Sequence, residues 1–394
     1  MIYKRFGDFE LSHLGMGNMR LPTMGDRGPI DRRKAEEVIE YVYEHGVNYF
    51  DTAFRYHEGE SELFSGEVLN RYPRDTWHLT SKFPGHMLRK EGDKLVFTGF
   101  GESKLEYFDS AKQIFQRQLE KCAMDYFDFY LLHGLSDSSY GLYSDPEVGV
   151  IDYLISQQKA GRIKHLGFSS HDRAEAIDRF LTKWEGVFEV VQIQINYLDW
   201  TLQDAKKKYE VITSHGLQVI AMEPIRGGRL AKLPEQTEAL LRAARPADSP
   251  AAWALRFLQG LPGMLVILSG MSTLEQAREN VDILSKHDPV TEEEKVILQQ
   301  AVWSMEHIIP CTACRYCCEA CPQNLDIPLL LSLYSEAAHD GDIGRIDSAY
   351  SRLGDEEKPS ACIACGQCAV HCPQEIDIPG ELKKFADFAA NPPS

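Results

Sequence analysis

Along the first 290 residues, short apolar runs alternate with longer stretches in which apolar side chains recur every three or four positions. The runs are LGMGNM (14–19), VNYFDTA (47–53), WHLTSKF (77–83), FDFYLLH (127–133), HLGFSS (165–170), VVQIQIN (190–196), QVIAMEP (218–224) and LVILSG (265–270). Their β-branched and aromatic content reads as strand. The stretches between them, such as RRKAEEVIEYVYEHG, SAKQIFQRQLEKCA and TLEQARENVDILSK, carry the helical period. Eight strand and helix pairs over this length predict an α/β fold, a (β/α)8 TIM barrel. An open doubly wound sheet is the runner-up, but it would place G-x-G-x-x-G after the first strand, and no such motif is present there.

Beyond residue 290 the pattern changes. LLLSLYSEAAHD and IGRIDSAYSRL read as helices, and they lie between two cysteine runs of identical spacing. The first is Cys311, Cys314, Cys317 and Cys321 followed by Pro322; the second, 51 residues later, is Cys362, Cys365, Cys368 and Cys372 followed by Pro373. Eight of the ten cysteines therefore sit in two copies of the bacterial ferredoxin spacing. A cubane needs four soft thiolates; steps of three let one loop deliver three of them, and the cysteine before proline ligates the other cluster in two-cluster proteins. The expectation is two [4Fe-4S] clusters with crossed ligation. One takes Cys311, Cys314, Cys317 and Cys372, the other Cys362, Cys365, Cys368 and Cys321. Zinc knuckles need neither the third cysteine nor the proline, and disulfides need an oxidising compartment. CPQNLDIP (321–328) and CPQEIDIP (372–379) make the region an internal repeat. It is similar to the helical two-cluster ferredoxin domains of reductase electron-transfer subunits. Cys318 falls outside the spacing, and Cys122, on a predicted helix, reads as a small buried apolar residue. The expected domains are 1–290, the barrel, and 291–394, the helical cluster domain.

Composition narrows the partners. With 394 residues and 43% apolar content the chain supports one large core and one small one. A formal charge of −17 argues against nucleic acid, whose phosphates need clustered Lys and Arg. No run approaches eighteen uninterrupted apolar residues, so no membrane span is expected. The N-terminal MIYKRFGDFELS shows no cleavable apolar segment, and the expectation is a cytoplasmic protein from a low-oxygen setting.

In a barrel, chemistry belongs at the C-terminal ends of the strands. Asp51, Lys82 and His133 are expected to close the second, third and fourth strands, with Tyr56 in the loop after Asp51. Taken singly, each has an ordinary role: a helix cap, a solvated charge, a hydrogen-bonded strand end. Their joint occurrence at successive strand ends reads as an acid and proton-relay group.

The strings DTAFRYHEGESE (51–62), TSKF (80–83), LLH (131–133), GFSS (167–170), QINY (194–197), EPIRGGRL (223–230) and SGMSTLEQARENV (269–281) resemble, in order and spacing, the aldo-keto reductase family. With the C-terminal cysteines, the chain resembles its iron-sulfur-containing branch. The resemblance implies NAD(P)H-linked reduction of a small-molecule carbonyl, or oxidation of an alcohol, by a tetrad of Asp51, Tyr56, Lys82 and His133. A free tyrosine has a pKa near 10, so Lys82 would stabilise its phenolate, Asp51 would hold the lysine, and His133 would polarise the substrate oxygen.

The resemblance also implies the nucleotide contacts. Ser169 and Gln194 would face the nicotinamide carboxamide, with Ser170 where relatives commonly carry Asn. Pro224, Ile225, Arg226, Gly227, Gly228 and Leu230 would cover the pyrophosphate. Ser269, Met271, Ser272, Gln276 and Asn280 would hold the adenosine end, and Gly17, Met19 and Arg20 would complete the set. Met222 stands where many relatives place an aromatic residue, and Gln276 where some have Arg. NADP(H) and NAD(H) both stay open, with a lean to NADP(H).

Nicotinamide carries two electrons and each cluster one, so a mediator is needed for exchange. A flavin in the barrel, linked to ferredoxin or another electron carrier, is one arrangement. Structural or redox-sensing clusters beside an NAD(P)H-only barrel are a second, and a non-catalytic nucleotide- or redox-sensing electron-transfer module is a third. The loops 85–102 and 134–145 are expected at the mouth of the pocket, and a monomer is the default.

Overall fold

The computed structural model describes residues 1–25, 28–99, 104–303, 305, 309–311, 314–340, 346 and 350–391. The chain divides into two compact units, Met1–Ile225 with Ala251–Val290, and Arg226–Pro250 with Thr291–Ser394.

The first unit opens with an antiparallel hairpin of β1 (Tyr3–Phe6) and β2 (Phe9–Ser12). Three barrel strands follow, β3 (Leu14–Gly17), β4 (Tyr49–Asp51) and β5 (His78–Phe83). A separate antiparallel sheet of β6 (Leu88–Glu91), β7 (Lys94–Phe97) and β8 (Glu106–Phe108) then interrupts the series. The barrel resumes with β9 (Phe127–Leu135), β10 (Ile163–Ser170), β11 (Val190–Gln194), β12 (Gln218–Met222) and β13 (Met264–Ser269). These eight strands pair in parallel and close on themselves through β13 and β3, so the (β/α)8 barrel predicted by the apolar runs is the observed fold.

The strands are buried along almost their whole length because helices cover the outer face and side chains fill the inner one. Leu11, Tyr49, Phe129, Leu131, Val190, Ile220 and Leu265 form part of that inner filling. Phe6 and Phe9 of the hairpin pack against it, with Phe9 4.3 Å from the His78 ring and Phe6 4.8 Å from His165. His78 and His165 lie at strand starts, so the hairpin plugs the N-terminal end and leaves the C-terminal end for chemistry.

Some boundaries differ from the periodicity. The fourth strand runs past His133 to Leu135, paired there with Ser170 across a register irregularity. The sixth and seventh runs stop early, at Gln194 and Met222, because tertiary needs take the next residues: Asn196 accepts from the Leu198 and Asp199 amides, and Glu223 adopts φ 56°. The loop 85–102 holds β6 and β7, and the loop 134–145 holds a helix, Asp137–Tyr143, capped by Ser136. Gly66 allows the helices Glu60–Leu69 and Ala111–Cys122 to touch: a Cβ there would lie 2.3 Å from the Cys122 carbonyl oxygen. Cys122 is fully buried, as expected of an apolar residue.

His13 sits in the plugged end, 1% exposed, with Nδ1 3.0 Å from the Leu265 carbonyl. Burial lowers its pKa from 6.5 to about 4. Between those values the unfolded chain binds more protons than the folded one, so stability falls as pH drops from about 6.5 towards 4. At about 1.4 kcal/mol per unit, this residue contributes a loss of at most about 3 kcal/mol. His13→Asn keeps a nitrogen donor for Leu265 but does not titrate; its urea midpoint should vary less with pH across that window than that of the wild type. Parallel curves would count against the assignment.

The second unit is helical. Glu235–Ala244 packs on Glu292–Trp303, and Ile327–Asp340 on Ile378–Ala390, where Tyr334 stacks on Phe385 at 5.3 Å. Leu325, Ile327, Leu330, Leu331, Ile378 and Leu382 form its core. Most of the predicted helix IGRIDSAYSRL (343–353) lies outside the described residues.

Candidate active site and cluster-binding segment

In the first unit, β4, β5 and β9 bring the four expected residues together. Asp51 ends β4 and pairs in register with Thr80, two residues before Lys82 on β5. Lys82 Nζ donates to Asp51 Oδ1 at 2.6 Å, to the Thr52 carbonyl at 2.8 Å and to Tyr56 Oη at 3.4 Å. The ammonium lies 4.9 Å from the Tyr56 ring centre. His133 meets the same ring edge-on, 5.9 Å between centroids. Tyr56 is only half-buried, whereas Lys82, Asp51 and His133 are buried. The arrangement is a phenol at the surface of the site with a cation behind it and an imidazole beside it.

Burial raises the Asp51 carboxyl and lowers the Lys82 ammonium, their mutual attraction opposing both shifts. Both directions disfavour charge, so this ion pair is not a stabilising device; the surrounding barrel holds it in place. Burial, with His86 and Lys82 adding, holds His133 well below the usual histidine range, so a neutral imidazole faces Tyr56.

Three participants lay outside the sequence reading. Glu62 is fully buried and accepts from Ser81 Oγ at 2.6 Å and Gln118 Nε2 at 2.5 Å. Gln118 also donates to the Lys82 carbonyl at 3.1 Å, so the pair braces the backbone that carries the lysine. The signal for Glu62 was present, as the charged end of the string 51–62. His86, in the turn after β5, packs its ring 4.4 Å from that of His133, and burial takes it down to about 3. Nothing in spacing marks it.

The expected nucleotide contacts fall on the same end of the first unit's barrel for one group of residues. Ser169 Oγ accepts from the Gly134 amide at 2.9 Å, and Gln194 donates to Asp199 at 2.7 Å. Ser170 donates to the Leu135 carbonyl and accepts from the Asp172 amide, so its hydroxyl ties the strand end to its loop. Asn280 donates to Ser269 Oγ at 2.9 Å, the Ser272 amide to Gln276 Oε1 at 2.8 Å, and Ser272 Oγ to the Arg20 carbonyl at 2.8 Å. Arg20, beside Met19 in the turn after Gly17, pairs with Glu223 at 3.5 Å. Met271 is fully buried, Met222 accepts a long contact from Gln192, and Pro224 and Ile225 continue from Glu223.

Arg226, Gly227, Gly228 and Leu230 belong to the second unit. Arg226 has φ 48°, and Gly227 and Gly228 have φ 65° and 97°, a tight turn open to glycine. The neighbouring Arg229, missed by the sequence reading, donates to the Ile309 carbonyl at 2.8 Å, two residues before Cys311.

In the same unit the eight cysteines form two groups, and the groups are crossed. Cys311, Cys314, Cys317 and Cys372 line one pocket; Cys321, Cys362, Cys365 and Cys368 line another. Among the described residues no three His, Cys, Asp or Glu side chains gather around a single-ion point. Each pocket is lined by three cysteines of one run and the fourth cysteine of the other. Burial pushes the Cys368 thiol up to about 11, with Cys362 and Cys321 adding, and Cys317 is raised by Cys318 and by burial. Four soft thiol side chains lining one pocket are the donor set a cubane takes, so the residues present fit iron-sulfur clusters.

A parallel barrel with a buried lysine, a tyrosine and a histidine at its C-terminal rim, followed by a cysteine-walled helical segment, defines an oxidoreductase. Residues 13–302 match the pattern described as the aldo/keto reductase family, and residues 310–376 that described as a 4Fe-4S dicluster domain. The chain belongs to the aldo/keto reductase family. It is 24% identical over 313 residues to an NADH-specific methylglyoxal reductase of Escherichia coli, covering 71% of this chain and 91% of that one. It is 24% identical to a probable aldo-keto reductase 1 of Glycine max, over 56% of this chain and 58% of the relative. In structure it is similar to aldo-keto reductase AKR11C1 of Bacillus halodurans in its holo form, with TM-score 0.60, 26% identity and coverage of 76% and 96%. Family membership implies NAD(P)H and a small-molecule carbonyl substrate, and the second match implies iron-sulfur clusters. Among the described residues, no helix is long and apolar enough to cross a membrane.

Proposed function

We propose that the chain catalyses reversible NAD(P)H-linked reduction of a small carbonyl compound, with Tyr56 as the general acid. The observation that carries this is Lys82 Nζ held between Asp51 Oδ1 and Tyr56 Oη. The nicotinamide, when bound, supplies the hydride. Tyr56 Oη gives its proton to the substrate oxygen, Lys82 stabilises the phenolate left behind, and Asp51 keeps the ammonium aimed. His133, neutral, orients the same oxygen through its imidazole. Ser169, Gln194, Ser269 and Asn280, all buried, and the exposed Gln276 form the polar set that supports nucleotide binding on the barrel, and the turn Arg226–Leu230 is assigned to the pyrophosphate.

In the C-terminal segment two [4Fe-4S] clusters are assigned with crossed ligation, which the two cavity linings support. When bound they pass electrons singly, and an external electron carrier such as ferredoxin is the proposed partner. Anaerobic purification followed by iron, sulfide, nucleotide and flavin assay tests the reading. About eight iron atoms per chain are expected, with methylglyoxal-dependent loss of NADH or NADPH absorbance as a first substrate probe. A released flavin chromophore would shift the assignment to flavin-mediated reduction.

Crossed ligation gives a sharper expectation. Cys372→Ser should remove the same cluster as Cys314→Ser, and Cys321→Ser the same as Cys365→Ser, each halving the iron. The check is the electron paramagnetic resonance (EPR) spectrum of the reduced variants. Matching spectra for Cys372→Ser and Cys365→Ser would contradict the pairing.

A further inference from the structure

The two cysteine cavities are walled by equivalent residues of the repeat, which makes their differences informative. Pro328 and Leu331 line the first where Pro379 and Leu382 line the second. Among the described residues, the one charged residue in either lining is Arg315, and its repeat counterpart is Gly366. Both adopt left-handed backbone, φ 70° and 76°. Glycine is the residue that position favours, so an arginine stays there against local conformational preference. Its guanidinium is 2.9 Å from Asp326, on the same CPQ-containing repeat segment. The counterpart, Asp377, instead accepts from the Gly380 amide as the cap of Ile378–Ala390.

We infer that Arg315 is a potential-setting residue: its charge raises the reduction potential of the cluster held by Cys311, Cys314, Cys317 and Cys372, making the two clusters electronically unequal. The inference rests on the two-cluster reading above. An added electron makes a cubane more negative, and a cation in the cavity wall stabilises that state, whereas Gly366 brings no charge to the other. Asp326 limits the effect by pairing with the guanidinium, and the partial exposure of both side chains screens it. The second cavity has its own distinction: Cys365 is exposed, and Ile363, which also lines it, is 61% exposed. Solvent there also affects potential, so the arginine is tested by its own removal rather than by comparing the two clusters.

The experiment is an anaerobic redox titration of the full-length holoprotein followed by EPR. Arg315→Gly suits the left-handed backbone and should fold. It should lower one of two reduction steps, changing the reduced-to-oxidised ratio at fixed potential about three- to ten-fold, or about 30 to 60 mV for one electron. The other step should stay in place. Asp326→Asn, which keeps the side chain's size and removes its charge, should move the same step upward, and Arg315→Lys should leave it near wild type. With full iron content, unmoved steps in Arg315→Gly, or equal movement of both, would overturn the inference alone. Iron for a single cluster in the wild-type protein would overturn the two-cluster reading along with it. Should Arg315→Gly lose iron, Asp326→Asn decides: an upward step supports the inference and an unmoved one overturns it.

Discussion

Tyr56→Phe is expected to lower kcat for carbonyl reduction by about 10²- to 10⁴-fold, the range for removing a positioned general acid. The phenol is half-buried, and its hydroxyl receives a long 3.4 Å contact from Lys82, so little packing depends on it. Nucleotide affinity, read by quenching of NAD(P)H fluorescence, and the thermal midpoint should both stay close to wild type. That separation matters, because a structural residue would lose stability along with turnover. If turnover with any carbonyl probe survives the substitution, proton donation belongs elsewhere and the role given to Lys82 goes with it. Oxidation of the corresponding alcohol should fall in parallel, since the same phenolate accepts the proton in reverse.

Lys82→Met has the second large effect, and it reaches both stability and activity. The methionine leaves the Asp51 carboxylate 3% exposed without the ammonium 2.6 Å away. Breaking a buried pair from one side costs about 3–5 kcal/mol. Adding Asp51→Asn removes the stranded charge, so the double variant should regain most of that stability and none of the activity. Urea denaturation of the two single variants and the double measures the coupling. Burial already pushes both groups toward their neutral forms, which is why the double variant is expected to be stable. A Lys82→Met protein as stable as wild type would show that Asp51 is not charged in the fold. Retained turnover in the double variant would remove the ion pair from the chemistry altogether.

The two clusters of chemistry were legible in the sequence to different depths. The cysteine spacing fixed which residues belong together because three ligands come from one short loop, a local constraint that spacing records directly. The crossing of Cys321 and Cys372 was an expectation from the proline-linked fourth position, and the cavity linings group the cysteines that way. That Asp51, Tyr56, Lys82 and His133 would lie together was legible as polar residues at successive strand ends, since parallel barrel strands present those ends to one face. His86 was not, because ring packing against His133 depends on how the turn after β5 folds back. Gln118 was hidden for a related reason: it lies on a helix whose pattern reports only which face is buried, while its bonds go to Glu62, Ser81 and the Lys82 carbonyl.

By itself, then, the order of apolar runs determined eight strands, their alternation with helices and the closed barrel, because burial on both faces leaves a period that local reading detects. Tertiary structure alone decided where those strands stop, that β6, β7 and β8 form within a loop, and that the hairpin of β1 and β2 seals the far end. It also decided that the segment Arg226–Pro250 shares a compact unit with the cysteine region. Each of these depends on contacts between residues far apart in the chain. A sequence pattern records the face a residue buries, and only the folded chain determines what it is buried against.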